Sequence, residues 1–237
     1  MQAVILSAGR GSRLLPLTQD MPKCIVPMAN GTILDQQLAA LAEAGIARAT
    51  VVVGYRADQV ERHLAARRPP IEVDLCFNPF WAVASSIGSV WAARQVLDTP
   101  FCLMNGDSSF ASAVIARAIG VLPPSVALVV EPLDVPEEDD MLVRVEGDAV
   151  RRVSKGLDPA QATHRSLGIV VGAAGSSYAD ALTRVIAGAD GYAAYHHDVI
   201  DALAQTEPVQ ALVETSGDWI EIDRPDDIRR WTARQGR

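Results

Sequence analysis

The chain has few aromatic side chains, three cysteines, and fewer basic than acidic residues. The cysteines, Cys24, Cys76 and Cys102, are widely separated, match no zinc spacing and cannot close a complete disulfide framework. A reducing, cytoplasmic setting is therefore expected. No stretch reaches about 18 uninterrupted apolar residues, so no membrane span is expected. The opening MQAVILSAGRG carries an apolar run too short for a secretory segment. With 21 basic against 29 acidic side chains and a net charge of -8, the balance gives no support to a broad nucleic-acid surface, and no nucleic-acid partner is expected. A local anion site is not excluded, because a few amides, Arg and Lys can outweigh the global sign.

What is present is a folded composition, 49% hydrophobic and 21% charged over 237 residues. That length suits one substantial core, and a single domain over residues 1–237 is expected. Ala3 to Leu6 is short, branched and apolar, the pattern of a buried parallel strand. Strand patterns recur at 51–53, 73–77, 101–104 and 126–130. Helical patterns fall between them at 32–44, 57–66, 83–96 and 111–119. In the first helix Leu34, Leu38 and Leu41 form one stripe and Gly45 stops it. This alternation predicts an α/β sandwich on a mostly parallel central sheet. Further on, strands at 141–145 and 150–153 read as a hairpin across Gly147, and 167–171 returns to the sheet. Helices are expected at 177–186 and 198–203, strands at 209–213 and 219–222, and a last helix opening at Pro225.

The most informative segment follows the first strand: Leu6-Ser7-Ala8-Gly9-Arg10-Gly11-Ser12-Arg13-Leu14. A loop leaving the carboxyl end of a strand can aim several amides at an anion, and glycines allow close approach. Arg13 offers a charged fork for phosphate oxygens, and Lys23 a second positive charge. The loop spells neither the P-loop pattern nor the full dinucleotide pattern. Its candidate nucleotide-binding residues are Ala8, Gly9, Gly11, Ser12, Arg13 and Lys23. Ser85 and Ser86, near a predicted helix start, are candidates for hydrogen bonds to a base or ribose, or for helix caps.

Asp107 ends a predicted buried strand, and Glu221 and Asp223 are two residues apart on another, so all three can converge on one edge. Carboxylates in this arrangement suit Mg²⁺, which favours oxygen ligands. Phe80, Trp81, Tyr195 and Trp219 are candidate walls of an acceptor pocket, with Asp198 or Glu221 supplying negative charge to a cationic head. His196 and His197 are adjacent, a spacing poor for joint presentation on one helix face. A helix-start role is expected for Asp198, and a substrate or packing role for His197.

Residues 6–28, LSAGRGSRLLPLTQDMPKCIVPM, resemble the signature of the sugar-phosphate nucleotidyltransferase superfamily, most closely its small bacterial phosphocholine cytidylyltransferase branch. The resemblance extends through Asn78-Pro79-Phe80, Asn105-Gly106-Asp107-Ser108-Ser109-Phe110 and Glu221-Ile222-Asp223. It implies a Rossmann-like three-layer fold, with the acceptor portion contributed mainly by residues 131–223. It also implies Gly9, Gly11 and Arg13 around the nucleotide phosphates, with Lys23 on the transferring phosphate. Asp107 and Asp223 would be the metal carboxylates, with Asp107 also on the nucleotide side, and Lys155 the basic contact to the acceptor phosphate. The implied reaction transfers a cytidylyl group from CTP, with Mg²⁺, onto phosphocholine, phosphoethanolamine or 2-aminoethylphosphonate. The branch commonly has an Asn-rich stretch where this chain has Ala84-Ser85-Ser86. The alternatives are a sugar-1-phosphate nucleotidyltransferase using UTP, GTP or dTTP, and a nonenzymatic nucleotide-binding sensor. A monomer and a small homo-oligomer are both compatible with the sequence.

Overall fold

In a computed structural model, residues 1–121 and 125–235 are described. The chain opens with β1 (Gln2–Ser7), the small strands β2 (Pro27–Met28) and β3 (Gly31–Thr32), then α1 (Ile33–Glu43). There follow β4 (Arg48–Val53), α2 (Ala57–Arg67), β5 (Glu72–Phe77), α3 (Ser86–Ala92), β6 (Phe101–Asn105), β7 (Ser108–Phe110) and α4 (Ser112–Gly120). The second half contains β8 (Val126–Pro132), β9 (Leu142–Glu146), β10 (Ala149–Ser154), β11 (His164–Gly172), α5 (Tyr178–Ile186) and α6 (His196–Ala204). It ends with β12 (Val209–Val213), β13 (Trp219–Glu221) and α7 (Pro225–Gln235).

The main sheet has nine strands in the order β5-β4-β1-β6-β11-β8-β12-β10-β9. The first four run parallel, β11 is antiparallel to β6 and β8, and β12 is parallel to β8. The architecture is thus a Rossmann-like α/β fold on a mixed sheet. Strand alternation divides the core into two layers. Val4, Val52, Leu103 and Val170 face Ile87, Val90, Tyr178, Leu182 and Val199, carried by α3, α5 and α6. On the opposite side Ile5, Val51, Val53, Met104 and Ile169 meet Leu34, Leu38, Leu41, Leu64 and Ile115, carried by α1, α2 and α4. The leucine stripe of α1 is therefore core, and its start is secured by a Thr32–Asp35 capping box.

The helix expected over 83–96 is shorter and begins later. The Ser85 and Ile87 N–H groups donate to the carbonyls of Tyr192 and Ala194, which holds residues 80–84 in a turn before α3. After Ala92 the chain tightens into a 3₁₀ stretch, Arg94–Asp98. The helix α6 conversely starts at His196, two residues earlier than the pattern predicts. The last strand stops at Glu221, which leaves Asp223 in the connection to α7.

Two features bring distant loops together. Because β1 and β6 are parallel neighbours, with Leu6 opposite Asn105, the glycine loop and the Asp107 turn leave the sheet at the same edge. The Gly106 N–H donates to Leu6 O at 3.1 Å, and a Cβ at Gly106 would lie 2.4 Å from that oxygen, so only glycine fits the crossing. The pairing of β7 with β13 then sets Ser108 opposite Glu221, and the Ile222 N–H donates to Asp107 O at 2.9 Å. From the helical layer, buried Gln37 Nε2 donates to Asn105 O at 2.8 Å and Ser108 O at 2.7 Å, bracing both sides of Asp107. Gln37→Leu strands both carbonyls, so unfolding in urea is expected to show a loss of about 2 kcal/mol.

Candidate active site

A small cluster of side chains sets the cleft at the carboxyl edge of the sheet. Leu14, Val26, Met28 and Ile33 pack with Ile222 and Trp231, so the loops bearing Arg13 and Lys23 are fixed against α7 and the segment that leads into it. Gly11 has φ +72°, and a Cβ there would lie 2.8 Å from the Lys23 Cβ, so the glycine lets the lysine stem pass under the loop. Thr18 Oγ1 donates to Gly11 O at 2.6 Å and closes the turn.

Lys23 is almost wholly buried, and its ammonium donates to Asp223 Oδ1 at 2.5 Å and Asp107 Oδ2 at 3.0 Å. Burial alone would lower its pKa, but the charges and hydrogen bonds of the two carboxylates outweigh burial and raise it. Asp223 is held below its ordinary value for the converse reason: burial opposes ionisation, and Lys23 and Arg13 favour it more. Arg13 Nη1 lies 2.6 Å from both Asp223 and Asp139. Glu221 completes the group: one oxygen from each of Asp107, Glu221 and Asp223 lies within 4.8 Å of the others. Its side chain opens to the cleft, yet the surrounding protein and the charges of Asp107 and Asp223 push its carboxyl up, to about 8. An all-carboxylate donor set fits a hard divalent cation. Asp107 Oδ1 is buried without a hydrogen-bond partner among the described residues, an oxygen that a cation would satisfy.

Two contiguous cavities meet at this cluster. One, of about 470 Å³, is lined by Gly9, Gly11, Ser12, Arg13, Lys23, Ser85, Asp107 and Asp223, nearly all of the expected phosphate cradle. The other, of about 290 Å³, is bounded by Ala8, Gly9, Arg13, Trp81, Ser85, Ser86, Asp107, Lys155, Tyr195, Trp219 and Glu221. Residues 6–28, 105–107 and 219–223 thus converge as the sequence reading expects.

Other expected contacts do not form. Phe80 is exposed and lies outside both cavities, because its N–H caps back onto Asn78 Oδ1 at 2.9 Å and the turn keeps its ring outside. Asp198 also stays outside: its carboxylate accepts the Tyr195 N–H at 2.6 Å, the helix-start role expected of it rather than an acceptor contact. Ser86 Oγ borders the cavity but accepts the His196 N–H at 2.9 Å, while Ser85 makes no side-chain cap. The adjacent histidines, against expectation, share one wall: the His196 and His197 ring centroids are 3.9 Å apart. Both are first-turn residues of α6.

Asp139 is a further residue of the cleft, outside the candidates read from the sequence. It lies 2.6 Å from Arg13 and 3.5 Å from Lys155, joining two cations that line the cleft. Lys155 Nζ also sits over the Tyr195 ring, 5.3 Å from its centroid.

Residues 2–114 match the family model described as nucleotidyl transferase. The first half of the chain is thus similar to nucleotidyl transferases. Over 109 residues it is 37% identical to the mannose-1-phosphate guanylyltransferase catalytic subunit beta of Drosophila pseudoobscura pseudoobscura, covering 45% of this chain and 29% of that protein. Over 64 residues it is 50% identical to the CTP:phosphoglutamine cytidylyltransferase of Campylobacter jejuni, covering 27% of this chain and 25% of that protein. The chain thus spans less than a third of the length of these curated relatives. The nucleotidyl transferase fold continues through the whole chain. A UDP-glucose pyrophosphorylase complexed with UDP-glucose superposes with a TM-score of 0.84 at 13% identity, covering 99% of this chain and 98% of that one.

The raised Glu221 carboxyl makes a pH prediction. A group whose folded pKa exceeds its unfolded value contributes stability that is complete below the unfolded pKa and is lost as pH rises through the folded one. In metal-free buffer, stability from this group is expected to decline between about 4.5 and 8. Urea midpoints of wild type and Glu221→Gln across that range should show the decline removed in the variant.

Proposed function

We propose that this chain catalyses magnesium-dependent transfer of a nucleotidyl group from a nucleoside triphosphate to the phosphate of a small molecule, releasing pyrophosphate. The observation that carries this reading is the meeting of the Gly9–Arg13 loop, buried Lys23 and the three carboxylates at the junction of two cavities. Amides of the loop and the Arg13 fork hold the triphosphate, and Lys23 neutralises charge at the transferring phosphate. Asp107 and Asp223, with Glu221 beside them, would hold Mg²⁺, which when bound neutralises phosphate charge and assists the leaving pyrophosphate. Lys155 orients the acceptor phosphate, whose anionic oxygen attacks in line without a dedicated general base.

The comparisons favour a sugar 1-phosphate acceptor, since mannose-1-phosphate guanylyltransferases recur among the curated matches. The nucleotide is then GTP, UTP or dTTP. A specific observation supports a second reading, cytidylyl transfer from CTP to a compact cationic acceptor such as phosphocholine or phosphoethanolamine. Tyr195 and Trp219 share the acceptor cavity with Asp139, Asp140 and Glu221, a combination suited to an ammonium head.

Pyrophosphate release measured for four nucleoside triphosphates against sugar 1-phosphates, polyol phosphates and amino-containing phosphate esters separates the two. Turnover with mannose or glucose 1-phosphate supports the first, and turnover confined to CTP with phosphocholine-like acceptors supports the second. Binding of nucleotide with no pyrophosphate from any pair overturns both and leaves a nucleotide sensor. Asp107→Ala and Asp223→Ala are each expected to lower kcat by about 100-fold or more. Magnesium-dependent turnover unchanged in both would remove their assigned role.

A further inference from the structure

His196 and His197 line the acceptor cavity but not the phosphate cradle. They are 1% and 4% exposed, so each ring nitrogen should have a partner. His197 does: its Nε2 lies 2.9 Å from Ser166 Oγ, which also accepts the Gly168 N–H. His196 does only in part. Ser86 Oγ accepts the His196 backbone N–H at 2.9 Å and lies 3.2 Å from the ring Nδ1. With its oxygen accepting from the backbone, the Ser86 hydroxyl has its own proton to give to Nδ1. That arrangement leaves the ring proton on Nε2. Nε2 is buried and has no partner among the described residues.

Burial holds this ring neutral, with its pKa pushed down to about 4 against the opposing pull of Asp107. Asp107 lines both cavities, and His196 shares the acceptor cavity with it, on the side where nucleotide and acceptor phosphates would meet. Lys155, on the same cavity wall, acts in turn on His197. A neutral donor here adds a hydrogen bond to an anionic oxygen without adding a cation that competes with a metal ion for Asp107. Tyr178 also carries a buried hydroxyl without a partner among the described residues, but it does not line the cleft.

We propose, on the nucleotidyl-transfer reading above, that His196 Nε2–H donates a hydrogen bond to a phosphoryl oxygen of the acceptor, with Ser86 as the positioning residue that fixes the tautomer. Ser86 then contributes to the acceptor through the imidazole rather than by touching a base or ribose itself.

The test reads the ring directly. Long-range ¹H–¹⁵N spectra of the labelled full chain, with His196 assigned by its loss in His196→Gln, should show the Nε2–H tautomer. Mannose 1-phosphate or phosphocholine, added with magnesium and nucleotide, should move the Nε2 resonance, whereas mannose and choline should not. With the acceptor that supports turnover, His196→Phe should raise the acceptor KM about tenfold, the worth of one neutral hydrogen bond. The nucleotide KM should stay within about twofold, and His196→Asn, which keeps an N–H donor, should recover part of the loss. Ser86→Ala should raise the same KM less and mix the tautomers. An Nε2 that is unprotonated, or unmoved by both phosphate esters, overturns the proposal, as does a KM effect confined to the nucleotide. Failure of the reaction reading shows separately, as absent pyrophosphate release, because the ring spectra need no turnover.

Discussion

The cleft depends on one buried ammonium. Lys23 Nζ sits between Asp107 and Asp223, and those three residues arrive from loops separated by 84 and 200 positions in the chain. A lysine this deeply buried is tolerable only while its carboxylates hold it, because an unpaired buried charge costs far more than the pair gains. The ion pairs therefore act as a latch between the loop after β1, the turn after β6 and the segment after β13. The latch is also incomplete as electrostatics. Burial, with the charges of Asp107 and Asp223 outweighing the pull of Lys23 and Arg13, raises the Glu221 carboxyl, and Asp107 Oδ1 has no donor among the described residues. Excess acceptor capacity of that kind is what a divalent cation uses.

A chain of net charge -8 can still present a phosphate site because charge acts over short distances inside a cleft. Arg13, Lys23 and Lys155 are gathered there, and each is partnered internally: Lys23 by Asp107 and Asp223, Arg13 by Asp223 and Asp139, Lys155 by Asp139. The rim cations are consequently held in place rather than swinging in solvent. Chain topology performs the rest. Parallel pairing of β1 with β6 delivers two loops to one edge, and the small β7–β13 ribbon carries the third acidic segment to them.

Much of this was legible in residue order. Branched apolar runs alternating with leucine stripes announced the α/β layers, and the Gly-Arg-Gly loop after the first strand announced an anion cradle. Asp107, at the end of a buried strand, and the spacing of Glu221 and Asp223 announced acidic groups that could share an edge. These signals survive because they are local: side-chain alternation, glycine at a close crossing and a charge at a strand end keep their meaning without the rest of the molecule.

What tertiary structure decided is who meets whom. Asp139 lies 126 residues from Arg13, and its partnership with that cation depends on how the β8–β9 connection folds over the sheet edge. The Ser86 hydroxyl, a candidate for direct nucleotide contact in the sequence, is taken by His196 from 110 residues away. Phe80 and Asp198 sit beside motif residues in sequence, yet a turn claims the Phe80 N–H and a helix start claims the Asp198 carboxylate, and both side chains stay out of the cleft. Sequence alone determined which chemical groups and which local backbone shapes were available. Their final partners were set by long-range packing, because hydrogen bonds and ion pairs are satisfied by whatever the fold brings within a few ångströms.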